Sequence, residues 1–270
     1  MKRIVGLIPI LALFALTLVS CQSGGDPASS GQARIVATVE PVRLVAAELL
    51  GPEVEIPVLL PPGVSPHAYD PLPSAVMAAS EATQILAIHE DVDGWVARIG
   101  TANVWWLTPE GEDPHGWLDP LHVRNALPRL AETLCQVLPE DCPAIRERQA
   151  RFTAELEEFV PAGVERLSGT RLVPSGIYLS AFSARFGVRE ETPIAPTEGV
   201  EPSPGDVARS IETARDAGLV VAQTGFPELA AQEVARASGA RLVRIDPIGS
   251  SRPVEGYLAL IDAIIGLIAP

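Results

Sequence analysis

The chain has 270 residues, of which 20 are Lys or Arg and 34 are Asp or Glu, giving a formal net charge of −14. That excess of acid argues against a nucleic-acid binder and against a protein drawn by charge to anionic membrane surfaces. Most of the charge is expected as solvated surface, and the length past residue 33 allows one large or two small domains.

Residues 1–21 read as an export signal. Lys2 and Arg3 precede an apolar run from Ile4 to Leu18, shorter than the roughly 20 residues that cross a bilayer. The run closes on Leu18-Val19-Ser20-Cys21, which resembles the bacterial lipobox, whose cysteine becomes the lipidated first residue. Residues 22–33 are rich in Ser and Gly, as a flexible tether should be. An exported, lipid-anchored protein on the periplasmic or outer face of the cell membrane is expected.

Beyond the tether, short β-branched runs alternate with amphipathic segments, the pattern of an α/β fold with parallel strands. Strands are expected at 34–38, 54–60, 84–88 and 104–107, with helices at 41–50 and 74–82. A helix begins near Leu121, behind the capping residue Asp119. Ile145, Phe152, Leu156, Phe159, Val160, Val164 and Leu167 recur at helical spacing, and Pro161 should kink or split that helix. The second half repeats the rhythm, with strands at 171–173, 219–222 and 241–245 and helices at 179–186, 204–217, 227–238 and 254–268. The expected architecture is two Rossmann-like α/β lobes with parallel sheets, 34–141 and 170–270, joined by a connecting helix at 142–169. Cys135 and Cys142 flank Pro139. In an exported chain such a pair more often forms a disulfide than a metal site, and no His or further Cys stands nearby at zinc spacing.

All four histidines, His67, His89, His115 and His122, lie in the first half. His67 sits in a proline-rich loop after the second expected strand, and His115 in Asp113-Pro-His-Gly-Trp-Leu-Asp-Pro120. Open α/β sheets bind ligands at the carboxyl ends of their strands, and restricted loops hold an imidazole at low entropic cost. Two such histidines make a metal site a candidate, although zinc needs a carboxylate and a further donor beside them. Each alone reads as well as an exposed loop residue. His122 reads as surface.

His67-Ala-Tyr-Asp-Pro-Leu-Pro-Ser74 and Asp113-Pro-His-Gly-Trp-Leu-Asp-Pro120 resemble paired segments of the zinc- and manganese-binding proteins of bacterial ABC importers, the cluster A-I family. Ala184-Arg-Phe-Gly-Val188, Glu201-Pro-Ser-Pro204 and Ile245-Asp-Pro-Ile-Gly249 are similar to three further segments, in order, so the likeness spans 34–269. It implies two lobes with a transition-metal ion between them, held by His67, His115 and Asp246. It also implies a donor near residues 175–176, where Ser175 and Gly176 stand, and often a Glu where Gln223 stands. His89, at a strand end, is the candidate to complete the shell; a water or a lost site are the alternatives.

The resemblance therefore implies a substrate-binding protein, expected as a monomer, that delivers Zn2+, or alternatively Mn2+, to a membrane permease. Imidazoles favour zinc, whereas manganese tolerates oxygen-rich shells. No Gly-x-x-x-x-Gly-Lys-Ser/Thr loop occurs, so ATP hydrolysis falls to a partner. The rivals are a zinc hydrolase using Glu90 or Glu112 as base, without a supporting His-Glu-x-x-His motif, and an adhesin or scaffold that has lost the metal.

Overall fold

The computed structural model describes residues 34–99, 102–197, 200–224, 228–249 and 254–270. The expected signal at 1–21, Cys21 and the tether at 22–33 lie outside the described residues.

The described chain starts with β1 (Ile35–Ala37) and α1 (Glu40–Leu50). Pro41 opens α1 where a missing N–H costs nothing, and Gly51 ends it at φ 91°. The 54–60 segment, expected as a strand, forms only one bridge, Ala37 to Val58. It still runs beside β1, with hydrogen bonds from Ala37 N to Pro57 O, Leu59 N to Ala37 O and Leu60 N to Thr38 O. Pro57 brings no N–H to the ladder and Pro61-Pro62 ends it, so the apolar run aligns without extending. Next come α2 (Pro73–Ser80), β2 (Gln84–Ala87), a one-turn α3 (Glu90–Asp93) and β3 (Asn103–Trp106). The three strands form a parallel sheet in the order β1-β2-β3.

Two long helices follow, α4 (Pro120–Val137) and α5 (Cys142–Leu167). Cys135 and Cys142 are joined as a disulfide across the turn between them. Helix α5 runs through Pro161 as one element, so the expected split does not occur. Pro161 and Glu157 are exposed, and the Glu157 carbonyl that loses its intrahelical partner faces water instead.

The second sheet collects β4 (Arg171–Pro174), the short β5 (Arg189–Glu190), β6 (Leu219–Gln223) and β7 (Arg241–Ile245). Between them lie α6 (Ser180–Phe186), α7 (Pro204–Ala217) and α8 (Leu229–Ser238), and α9 (Tyr257–Ile268) closes the chain. The sheet is parallel in the order β5-β4-β6-β7. The chain leaves β4 toward one neighbour and returns on its other side, so a topological switch point lies between β4 and β6. Strands buried on both faces carry the near-continuous apolar runs seen at Ile35–Ala37 and Leu219–Ala222. Helix α5 packs against α1 and α4 on the first sheet's side and against α6 and α9 on the second's. One continuous apolar core, from Ile35 to Ile268, includes side chains from both sheets.

Candidate metal centre

His67 sits in a 3₁₀ turn, Pro66–Ala68. Its Nδ1 lies 2.9 Å from the Asp91 carbonyl oxygen at α3. A carbonyl only accepts, so Nδ1 is the donor in this contact. That backbone contact is the usual way a metal-binding imidazole is oriented. His115 is buried, and its Nδ1 lies 3.7 Å from the Asp113 carboxylate, whose Oδ1 also accepts from the His115 backbone N–H at 2.8 Å. The His115 ring beside it holds the Asp113 carboxyl below its ordinary value, against the upward push of burial. The rings of His67 and His115 are 5.6 Å apart between centroids.

Both rings line one cavity of about 170 Å³. Its other walls come from the second half of the chain: Ser175 to Tyr178 after β4, Ile194, Ala195 and Thr197 after β5, Glu201 before α7, Gln223 at the end of β6 and Ala231 of α8. Ser175 and Gln223 flank the switch point, where this topology is expected to bind. Tyr178 donates its hydroxyl to the Val221 carbonyl at 3.1 Å, and burial pushes its phenol well above the ordinary value. It therefore contributes a ring wall rather than a phenolate.

The other sequence candidates lie differently. His89 caps α3, its Nδ1 accepting from Asp91 N at 3.0 Å, and its Nε2 is buried with no hydrogen-bond partner. It does not line the cavity. Asp246 follows β7, where its Oδ1 accepts from Ile248 N and Gly249 N at 3.2 and 3.0 Å in an Asp-Pro turn, and it too stands outside the lining. Among the described residues no three His, Cys, Asp or Glu side chains form a group that could hold a metal ion. His122, expected as surface, is partly buried: Nε2 lies 3.0 Å from Thr108 Oγ1 and Nδ1 3.5 Å from Glu112. Burial lowers its pKa, against the opposing pull of Glu112, Asp119 and Asp113.

The family model for the zinc-uptake complex component A, periplasmic, matches residues 35–269. The chain belongs to this family. Relatives include the manganese ABC transporter substrate-binding lipoprotein PsaA of Streptococcus anginosus, 30% identical over 218 residues and covering 70% of each chain. The zinc-binding lipoprotein AdcA of Streptococcus pneumoniae is 22% identical over 294 residues, 94% of this chain, which spans only 58% of AdcA. In fold, a crystal structure of ZnuA superposes with a TM-score of 0.76 at 23% identity, covering 86% of this chain and 96% of that one. The two-lobed α/β architecture expected from sequence is thus the family's.

In this member of the family, the motif residues that do not touch the cavity brace the loops that do. The buried Trp117 indole donates to the Pro247 carbonyl at 2.9 Å, and Tyr257 donates to the Trp117 carbonyl at 2.7 Å. Asp119 caps α4 at Leu121 N and pairs with Arg185 of α6 at 2.6 and 2.9 Å. The His115 loop is therefore tied to β7, α9 and α6. Sequence reasoning named most of these residues for their likeness to the family but missed the brace. It missed Tyr178 as well, whose only signal was its place just after a strand end.

Proposed function

We propose that the chain is the extracytoplasmic substrate-binding protein of an ABC importer, a binding protein rather than an enzyme, that captures a transition-metal ion, zinc before manganese, and hands it to a membrane permease. The observation that carries the reading is the placement of two imidazoles, His67 and His115, on one cavity whose remaining walls come from the other sheet. The two imidazole donors favour zinc over manganese, beside the Glu201 carboxylate that also lines the cavity. The lobes 34–141 and 170–270 would hold the ion and close modestly about the 142–169 helix. A lipid on Cys21 would keep the monomer at the membrane. Among the described residues no helix is long and apolar enough to cross it.

Metal analysis and equilibrium dialysis of the purified protein test this reading. One ion per chain is expected, with His67→Ala and His115→Ala each weakening binding at least tenfold. At a hundredfold excess over the dissociation constant, the ion should add roughly 2.7 kcal/mol of stability. His89→Ala and Asp246→Ala distinguish a wider shell from the two imidazoles. The alternative reading, a scaffold lipoprotein without metal, requires no stabilisation by any divalent ion.

A further inference from the structure

The ring centres of His67 and His115 stand 5.6 Å apart. Two imidazoles ligating one tetrahedral ion through nitrogens about 2 Å from it hold their ring centres roughly 5 Å apart. A ligating imidazole is neutral, so this pair would leave both charges of the ion uncompensated, and burying such a charge is costly. Ser175 and Thr197 hydroxyls and the Gln223 amide on the facing walls are neutral as well. Among the described lining residues, Glu201 alone brings a formal negative charge. It is exposed although it lines the cavity, which places it at the mouth. Among the described residues no hydrogen bond or ion pair engages its carboxylate. Its backbone is nonetheless fixed on both sides. Val200 N–H donates to the Thr197 carbonyl at 3.3 Å, and Ser203 and Asp206 form the reciprocal cap that opens α7 just beyond.

We propose that Glu201 is a ligand of the carried ion: its carboxylate turns in from the mouth and joins His67 and His115 on a zinc-like divalent cation. This rests on the carrier reading of the same cavity and names a side chain that holds the cargo. In this structure the three side chains line the cavity without forming a coordination group. The anchored backbone leaves the side-chain torsions of Glu201 to carry the carboxylate inward. One carboxylate halves the charge that enters the cavity, which lowers the desolvation cost. Two imidazoles and a carboxylate are a donor set that zinc accepts, with its fourth position open to water or a further donor. Because Glu201 comes from the second half of the chain and both histidines from the first, the ion would tie the two halves together.

Equilibrium dialysis against buffered zinc tests the proposal on the full chain, Glu201→Gln and Glu201→Ala. Each variant should bind zinc at least tenfold more weakly, with the thermal midpoint of the apo protein unchanged because Glu201 is exposed. The measurement is repeated in about 0.1 M and about 1 M potassium nitrate, where screening lengths are roughly 10 and 3 Å. A ligand's loss persists at the higher salt, whereas a loss that vanishes there marks a remote charge and overturns the proposal. Cobalt(II) adds a direct readout, since its visible spectrum reports the donors around it. The spectrum of the loaded protein should change in Glu201→Gln, and an unchanged one places the carboxylate outside the shell. Zinc bound as tightly by both variants as by the parent overturns the role of Glu201 but leaves the carrier reading standing. Neither zinc nor cobalt retained by the parent overturns both.

Discussion

Single residues decide what the histidines can do. His67 and His115 could be named from their rigid loops because prolines and a family motif mark those loops in the sequence. Whether a ring faces the cavity or caps a helix depends on neighbours that no local pattern encodes. His89 shows this: it ends β2 on the ligand-binding side of the sheet, yet its Nδ1 serves Asp91 N. Beside it, Asp93 is completely buried, accepting from Thr38 Oγ1 and from the backbone of Ile88 and His89. Desolvation outweighs those hydrogen bonds and raises the carboxyl from 3.8 to about 6. The folded state therefore binds this proton more tightly than the unfolded chain does. The stability linked to it is fully present below pH 3.8 and is lost as pH rises through about 6. Relative to Asp93→Asn, the protein should gain roughly 2 kcal/mol on acidification from pH 7 to pH 4. Parallel thermal-midpoint curves for the two proteins across that range would contradict the assignment.

At the scale of elements, helix α5 is where local propensity and packing disagree. Gly163 lies inside it, where Ala would ordinarily favour the helix by about 0.5–1 kcal/mol. A Cβ there would meet Phe186 Cε1 at 2.5 Å and Ile265 Cδ1 at 3.0 Å. Those buried side chains belong to α6 and α9, so the glycine sets how closely three helices approach. Gly163→Ala is expected to destabilise by roughly 1–3 kcal/mol despite its better propensity, read from urea denaturation; a stabilised variant would show that the contact relaxes freely. The bridge from Cys135 to Cys142 pins the turn between α4 and α5. Closing so short a loop is worth about 2.5 kcal/mol on the chain-entropy account. Reduction, or Cys135→Ser with Cys142→Ser, should lower the denaturation midpoint accordingly, and thiol titration of the untreated protein should find neither cysteine free. The aborted strand at 54–60 carries the converse lesson. Its apolar run looked like a strand, and its prolines, equally visible, limited it to one bridge.

Over the whole molecule, two parallel sheets would suggest two independently melting lobes. The apolar core argues otherwise, because it joins β1–β3, α1 and α4 to β4, β6, β7 and α9 without a break. A smaller cluster around Val173, Val220 and Val234 lies on the outer side, under α7 and α8. Differential scanning calorimetry should therefore give one cooperative transition, with calorimetric and van't Hoff enthalpies in agreement. Two resolved peaks would mean that the shared core and the Trp117 brace do not couple the lobes.

Much of this was written locally. Strand and helix spacing, the capping Asp119, the paired cysteines and the two histidine loops all follow from residues adjacent or nearly adjacent in the chain, where period and turn chemistry act directly. What required the tertiary structure was everything set by contacts across a hundred residues or more. The Trp117 tie to Pro247 and Tyr257 and the passage of α5 through Pro161 belong there, as does the cavity that brings two imidazoles of the first half against walls from the second. Those contacts depend on where separate segments meet, and no one-dimensional pattern carries that distance.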